Sequence, residues 1–153
     1  MALAKPKILV LGATGKIGNQ TAHLLTQNSD IQVAAGIRSP EKAQQLRDRN
    51  IEIRHLDLDR HETLTPALEG IDRALLLTGY SVDMLKQSKA FIDAAKQAGV
   101  QHIVHIGASG APTNEVAHWG NRFGWRRDRL KNFWTQCLNQ VEIQPICTVF
   151  TPN

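Results

Sequence analysis

Lys7-Ile8-Leu9-Val10-Leu11-Gly12-Ala13-Thr14-Gly15-Lys16-Ile17-Gly18 carries an apolar strand straight into three glycines and on into an amphipathic helix. That order makes a dinucleotide-binding turn. Gly12 lets the chain leave the strand tightly, Gly15 offers no Cβ to an approaching pyrophosphate, and Gly18 lets the helix pack close to the sheet. The helix N-terminus presents free N–H groups and the positive end of its dipole to phosphate. The spacing is GxxGxxG, one residue wider than GxGxxG. Glycine triplets also serve ordinary turns; the flanking strand and helix raise this one above them.

Outward from this turn the chain alternates strand and helix. The pattern predicts strands at 8–11, 31–37, 51–56, 73–77 and 102–106, with helices at 17–27, 41–49, 62–68 and 83–98. In the first helix Ile17, Thr21, Leu24 and Leu25 fall along one face. Pro40 opens the second, where its missing N–H costs nothing. Gly70 ends the third. The fourth carries Met84, Leu85, Phe91, Ile92, Ala95 and Ala98 at helical spacing and stops at Gly99. A glycine-rich loop at 107–113, a further helix at 126–138 and a sixth strand at 143–150 complete the reading, with Pro145 weakening that strand's start. Strands alternating with helices imply an α/β fold: a doubly wound parallel sheet in three α/β/α layers, one domain over 1–153. Connections of this kind are right-handed, and ligands bind beyond the carboxyl ends of the strands, where strand order reverses.

The residues at those strand ends are therefore the candidates for binding. Arg38 stands twenty residues past Gly18, where a site preferring NAD often has Asp or Glu for the ribose hydroxyls. A guanidinium there favours the 2′-phosphate of NADP, and Ser39 adds a hydroxyl donor; the competing reading is a solvated arginine at a helix start. Lys16 either adds charge near the phosphates or faces water. After strand three, Asp57 is placed to accept from the adenine amine and Leu58 to pack on its ring, although Asp57 or Asp59 also suits a helix cap before Glu62. Thr78 and Gly79, after strand four, pass under the cofactor ribose, and Gly107-Ala108-Ser109 lies near the nicotinamide.

Composition sets the outer limits. A chain of 153 residues, 42% hydrophobic, suits one soluble core. No apolar run approaches the ~20 residues that cross a bilayer. Residues 1–6 are too short, and too soon followed by a strand, for a secretory signal. Cys137 and Cys147 have no metal or redox spacing, and the six histidines are scattered, so no metal site and a cytoplasmic protein are expected. Residues 1–117 hold 13 Lys/Arg against 12 Asp/Glu, whereas 118–153 hold 5 against 2, so the net +4 belongs mainly to the tail.

The segments GATGKIG, IRSPEKAQQL, HLDLDRHETL and FIDAAKQAGVQHIVHIGASGA together resemble the NmrA-like, or atypical short-chain dehydrogenase/reductase, family. The last segment is the most specific, and the resemblance covers residues 5–117, continuing faintly at 148–153. It implies a Rossmann-like domain that binds NADP(H) or NAD(H). By position Gly12, Gly15, Gly18, Arg38 and Asp57 carry over as cofactor contacts, with Thr14 and Ile17 contributing from the turn between them. The family includes quinone and isoflavone-type reductases, and members that sense nicotinamide redox state while binding a protein partner. The family's C-terminal substrate region is expected to be absent here, which would leave an apolar surface for a homodimer to cover. Residues 118–136 depart from the family: Trp119, Trp125 and Trp134 fall there, with Arg122, Arg126, Arg127, Arg129 and Lys131. Either a changed reading frame or a helix with an aromatic face would produce that shift.

Short-chain reductases commonly use a Tyr-x-x-x-Lys pair, the tyrosine donating a proton and the lysine lowering its pKa. Here the single tyrosine, Tyr80, is followed four residues later by Met84. Ser109 matches the approximate place of the family serine, and His118, beyond the loop, is the other candidate for the substrate side. His105, inside strand five, reads as a packed histidine. Two functions remain open. One is an NAD(P)H-dependent reductase passing hydride to a quinone or enone; the other is a non-catalytic redox sensor or partner-binding module. Basic residues between aromatics at 125–134 also suit nucleic acid, but a helix covering the sheet explains them better, and nucleic acid is not the expected partner.

Overall fold

The computed structural model describes residues 5–79, 83–107 and 142–147. Among the described residues six strands form one parallel sheet: β1 (Lys7–Leu11), β2 (Gln32–Ile37), β3 (Glu52–His55), β4 (Arg73–Leu77), β5 (His102–Gly107) and β6 (Glu142–Cys147). Their spatial order is β3-β2-β1-β4-β5-β6. The chain winds outward from β1 to β3, returns to pair β4 with β1, and winds outward again. The reversal between β1 and β4 is the switch point of a doubly wound sheet.

The helices divide between the two faces. α1 (Lys16–Thr26) and α2 (Gln44–Arg47), the latter entered through a 3₁₀ turn at Pro40–Ala43, cover one side. Their core joins Val10, Val33, Ala35 and Ile37 of the strands to Ala22 and Leu46 of the helices. α3 (Leu64–Leu68) and α4 (Met84–Gln97) cover the other, where Leu9, Leu11, Ala34, Leu76 and Ile103 meet Leu64, Leu68, Phe91, Ile92 and Ala95. Alternation along β1 decides the split: Leu9 and Leu11 point one way, Val10 the other. Small residues in β2 allow close layering, and a Cβ on Gly36 would sit 3.2 Å from Leu56.

Three sequence expectations are corrected. The apolar stripe of the first helix packs only in part: Leu25 lies half-buried against the core. Ile17 and Leu24 are 44% and 54% exposed, and the helix buries Gly18 and Ala22 instead. At Gly18 the cause is distance: a Cβ there would overlap the Gly12 carbonyl oxygen, so the helix meets its own turn without a side chain. Asp59 does not cap the third helix. The cap position before the 3₁₀ turn His61–Thr63 is Arg60, with no side-chain cap bond. Thr63 ties the turn instead, its hydroxyl meeting both the N–H and the carbonyl of Asp57. Third, Pro145 does not mark a weak strand start. β6 runs through it, opposite His105, as the terminal strand in the sheet order. An edge strand tolerates the missing N–H.

The lower rim of the sheet is locked by charge. Asp72 accepts the Lys7 N–H at 2.7 Å, and Glu52 accepts from Lys7 Nζ and Arg54 Nε, each at 2.8 Å. The Lys7 hydrogen bond, with Arg54 behind it, holds the Glu52 carboxyl below the usual carboxylate range against the opposing pull of burial. Among the described residues no helix is long and apolar enough to cross a membrane.

Candidate functional site

Every strand of the sheet is parallel, so the carboxyl ends share one rim. Gly12 follows β1, Arg38 follows β2, Asp57 follows β3 and Thr78 follows β4. The glycine turn lies at the switch point. Gly12 takes φ +64°, a conformation favouring glycine, and its carbonyl accepts the Gly15 N–H at 2.8 Å. A Cβ on Gly12 would stand 3.5 Å from the Cβ of Leu77, so the turn rests on the end of β4. A Cβ on Gly18 would overlap the Gly12 carbonyl oxygen and lie 2.6 Å from the Gly12 carbonyl carbon. Gly18 thus seats the helix on the turn itself, closer in than the sheet packing its spacing suggested.

Gly15 is the N-cap of α1 in an extended conformation, without a side-chain cap. The first i→i−4 bond joins Asn19 N–H to the Gly15 carbonyl at 2.9 Å. The N–H groups of Lys16, Ile17 and Gly18 therefore precede the helical ladder and are free for an anion. Thr14, Gly15, Lys16 and Ile17 are exposed around them.

The other strand ends stand on the same rim as the glycine turn. Arg38 is exposed and forms no hydrogen bond or ion pair with another described residue. The Thr78 hydroxyl is buried and, among the described residues, has no hydrogen-bond partner. A Cβ on neighbouring Gly79 would meet nothing within 4 Å. A buried orphan hydroxyl is costly, and a ligand rich in oxygens would satisfy it. Accordingly Thr78→Val is expected to stabilise the free protein by about 1 kcal/mol and, if a dinucleotide binds at this rim, to lower its affinity about threefold. Urea unfolding without cofactor and a NADPH titration check the two signs; a destabilised variant with unchanged affinity contradicts the assignment.

Asp57 is partly buried, and its Oδ1 accepts the Asp59 N–H at 3.0 Å. Leu58 is partly buried against the α3/α4 core, which fixes the loop between them. Asp59 reaches α4, where its Oδ1 accepts from Gln87 Nε2 at 2.6 Å. Sequence reading did not find Gln87: the pair is 28 residues apart, and only the packing of α4 joins it.

Ser109 and His118, the candidates for the substrate side, lie outside the described residues, as do Tyr80 and the 118–136 segment. His105 is 3% exposed, on the face of β5 that also buries Ile103, and burial pushes its pKa down to about 4. It is a neutral core residue at ordinary pH. Among the described residues no group of three or more His, Cys, Asp or Glu could hold a metal. A groove of about 660 Å³, lined by Lys5, Lys7, Asn28 and Glu52 among others, lies at the lower rim, away from the glycine turn. Its Lys7 and Glu52 are already paired with each other.

Residues 12–138 match the family described as NAD(P)H-binding. The chain is 36% identical over 124 residues to an NAD(P)H azoreductase of Xenophilus azovorans, covering 81% of this chain and 43% of that protein. It is 34% identical over 111 residues to quinone oxidoreductase 2 of Escherichia coli, covering 71% and 39%. The crystal structure of that oxidoreductase complexed with NADPH superposes with a TM-score of 0.70 at 28% identity, over 85% of this chain and 45% of that one. The Citrobacter triphenylmethane reductase complexed with NADP(H) superposes with a TM-score of 0.64 at 30% identity, over 81% and 46%. The chain thus spans less than half the length of these relatives. With its glycine turn, its switch point and these relatives in agreement, the chain belongs to the NAD(P)H-binding family of NmrA-like, atypical short-chain dehydrogenases/reductases.

Proposed function

We propose that this chain is the dinucleotide-binding part of an NADP(H)-preferring reductase acting on quinone-like or related conjugated acceptors. The observation that carries the cofactor preference is Arg38. It is an exposed guanidinium at the end of β2, unengaged by other described residues, where an acidic side chain would select the unphosphorylated ribose. The acceptor class draws support from the azoreductase and quinone oxidoreductase relatives.

Within this reading the N–H groups of residues 16–18 and the α1 dipole hold the pyrophosphate, Arg38 holds the 2′-phosphate, and Asp57 faces the adenine amine. Thr78 donates to a ribose or phosphate oxygen. When bound, the reduced nicotinamide supplies hydride. A quinone needs less help from a protein acid than a ketone does, because the anion formed is stabilised by conjugation and takes its proton from water. The lack of a Tyr-x-x-x-Lys pair at Tyr80 and Met84 is therefore compatible with turnover. Ser109 and His118 are the candidates beside the acceptor. The same lack of a pair favours the second reading, a nucleotide-binding sensor without turnover.

Calorimetric titration with NADPH and NADH separates these outcomes. Arg38→Ala is expected to weaken NADPH about tenfold and leave NADH within about twofold, the loss of one charge-assisted phosphate contact. Equal weakening of both cofactors would remove Arg38 as the phosphate reader. Oxidation of NADPH by a soluble quinone then distinguishes reductase from sensor.

A further inference from the structure

The loop after β3 and the helix after β4 are far apart in the sheet order, with β2 and β1 between their strands. A hydrogen bond joins them. Gln87, on the first turn of α4, donates from Nε2 to Asp59 Oδ1 at 2.6 Å. Asp59 in turn donates its backbone N–H to Asp57 Oδ1 at 3.0 Å. The Asp57 backbone is fixed from the opposite side by the Thr63 hydroxyl, at 2.9 Å to its N–H and 3.0 Å to its carbonyl. Arg60 N–H closes the turn on the Asp57 carbonyl at 3.0 Å.

We propose that Gln87 is a positioning residue for purine selection: by anchoring Asp59 it fixes the rotamer of Asp57, leaving one carboxylate oxygen to accept from a 6-amino group. The inference rests on the reading of Asp57 at the adenine end of the cofactor. The chemistry follows from the donor count. An ionised carboxylate has two oxygens and only accepts. Oδ1 accepts the Asp59 N–H, which orients the carboxylate and leaves the second oxygen wholly available to a donor. An exocyclic amine is such a donor; a 6-oxo group is an acceptor and meets the carboxylate with repulsion. Asp57 alone could turn away from the latter. Held by a loop that Gln87 pins to α4, it cannot turn without breaking the Asp59 contacts, and the selection against the 6-oxo purine is enforced.

The test compares the affinities of NADPH and its deaminated analogue, reduced nicotinamide hypoxanthine dinucleotide phosphate, by calorimetry. The full chain is expected to prefer NADPH. Gln87→Ala is expected to shrink that preference about threefold, mostly through tighter binding of the hypoxanthine analogue, as expected for loss of one hydrogen bond. Asp59→Asn, which keeps the accepting oxygen and the backbone N–H, is expected to retain the preference. Asp59→Ala is expected to behave as Gln87→Ala. A merely structural role would lower both affinities together and leave their ratio unchanged, which overturns the proposal. So would a collapse of the ratio in Asp59→Asn alone, since the Asp59 charge would then be the reader. Failure of the unaltered chain to bind NADPH would instead defeat the cofactor reading itself.

Discussion

Replacing Gly18 with alanine is expected to weaken NADPH at least about a hundredfold and to destabilise the protein by about 1–3 kcal/mol. The added methyl overlaps the Gly12 carbonyl oxygen and would lie 2.6 Å and 2.9 Å from the Gly12 carbonyl carbon and the Ala13 nitrogen. All three are backbone atoms. No side chain can swing aside, and the turn is braced by the 2.8 Å bond from Gly15 N–H to the Gly12 carbonyl. Relief requires the helix to lift from the turn or the turn to change shape. Either displaces the N–H groups of residues 16–18, whose value to a phosphate depends on convergence from a fixed helix end. The hundredfold loss corresponds to about 2.7 kcal/mol. Calorimetric titration with NADPH and urea unfolding of the same variant measure both effects. Affinity within about threefold of the unaltered protein would mean that the turn does not hold the pyrophosphate.

Acid is expected to cost the fold about 3 kcal/mol between pH 6.5 and pH 4, through His105. The buried imidazole titrates near 4 in the folded chain, pushed down by burial, against an ordinary value of 6.5. Between those values the unfolded chain binds a proton that the folded chain does not. Stability is therefore full above about pH 6.5 and falls as pH drops toward 4; at ~1.36 kcal/mol per pH unit the gap gives the figure above. Glu52 acts in the same direction but later, since the stability it contributes is lost only as pH falls from the ordinary carboxylate value toward its lowered folded one. Urea unfolding across pH 4.5–7.5 shows the His105 slope as a decline at the acid end. His105→Leu is expected to flatten it. An undiminished slope in that variant would assign the acid sensitivity to other groups.

The sequence makes legible what depends on local backbone needs. Gly12 must take positive φ and Gly18 must lack a Cβ, and both demands are visible in an apolar strand followed by glycines. The strand–helix alternation and the strand ends at Arg38, Asp57 and Thr78 follow from periodicity alone. Side-chain partnerships across the fold are not written in this way. The stripe of Ile17, Leu24 and Leu25 has the right period for burial, yet only Leu25 packs on the core, while Ile17 and Leu24 stay outward and Gly18 and Ala22 are buried. Asp59 has the composition of a cap and serves as a tether, because its partner Gln87 arrives only when α4 docks. Thr78 was legible by position, but its unsatisfied hydroxyl is a product of packing.

The order β3-β2-β1-β4-β5-β6 also has a consequence for assembly. The β1–β3 half, with α1 and α2, is complete by residue 55 and closes one of the two cores. The opposite face of that half carries Leu9, Leu11 and Ala34, and its cover includes Leu64, Leu68 and Phe91. A chain emerging from the ribosome therefore carries a half-built sheet with one sticky side until α4 has been synthesised. Pairing β1 with β4 must close a long loop, so it is among the slowest contacts to form. The vulnerable interval for aggregation falls between these two events, and substitutions that weaken the docking of α4 would lower the yield of folded protein before affecting the finished molecule.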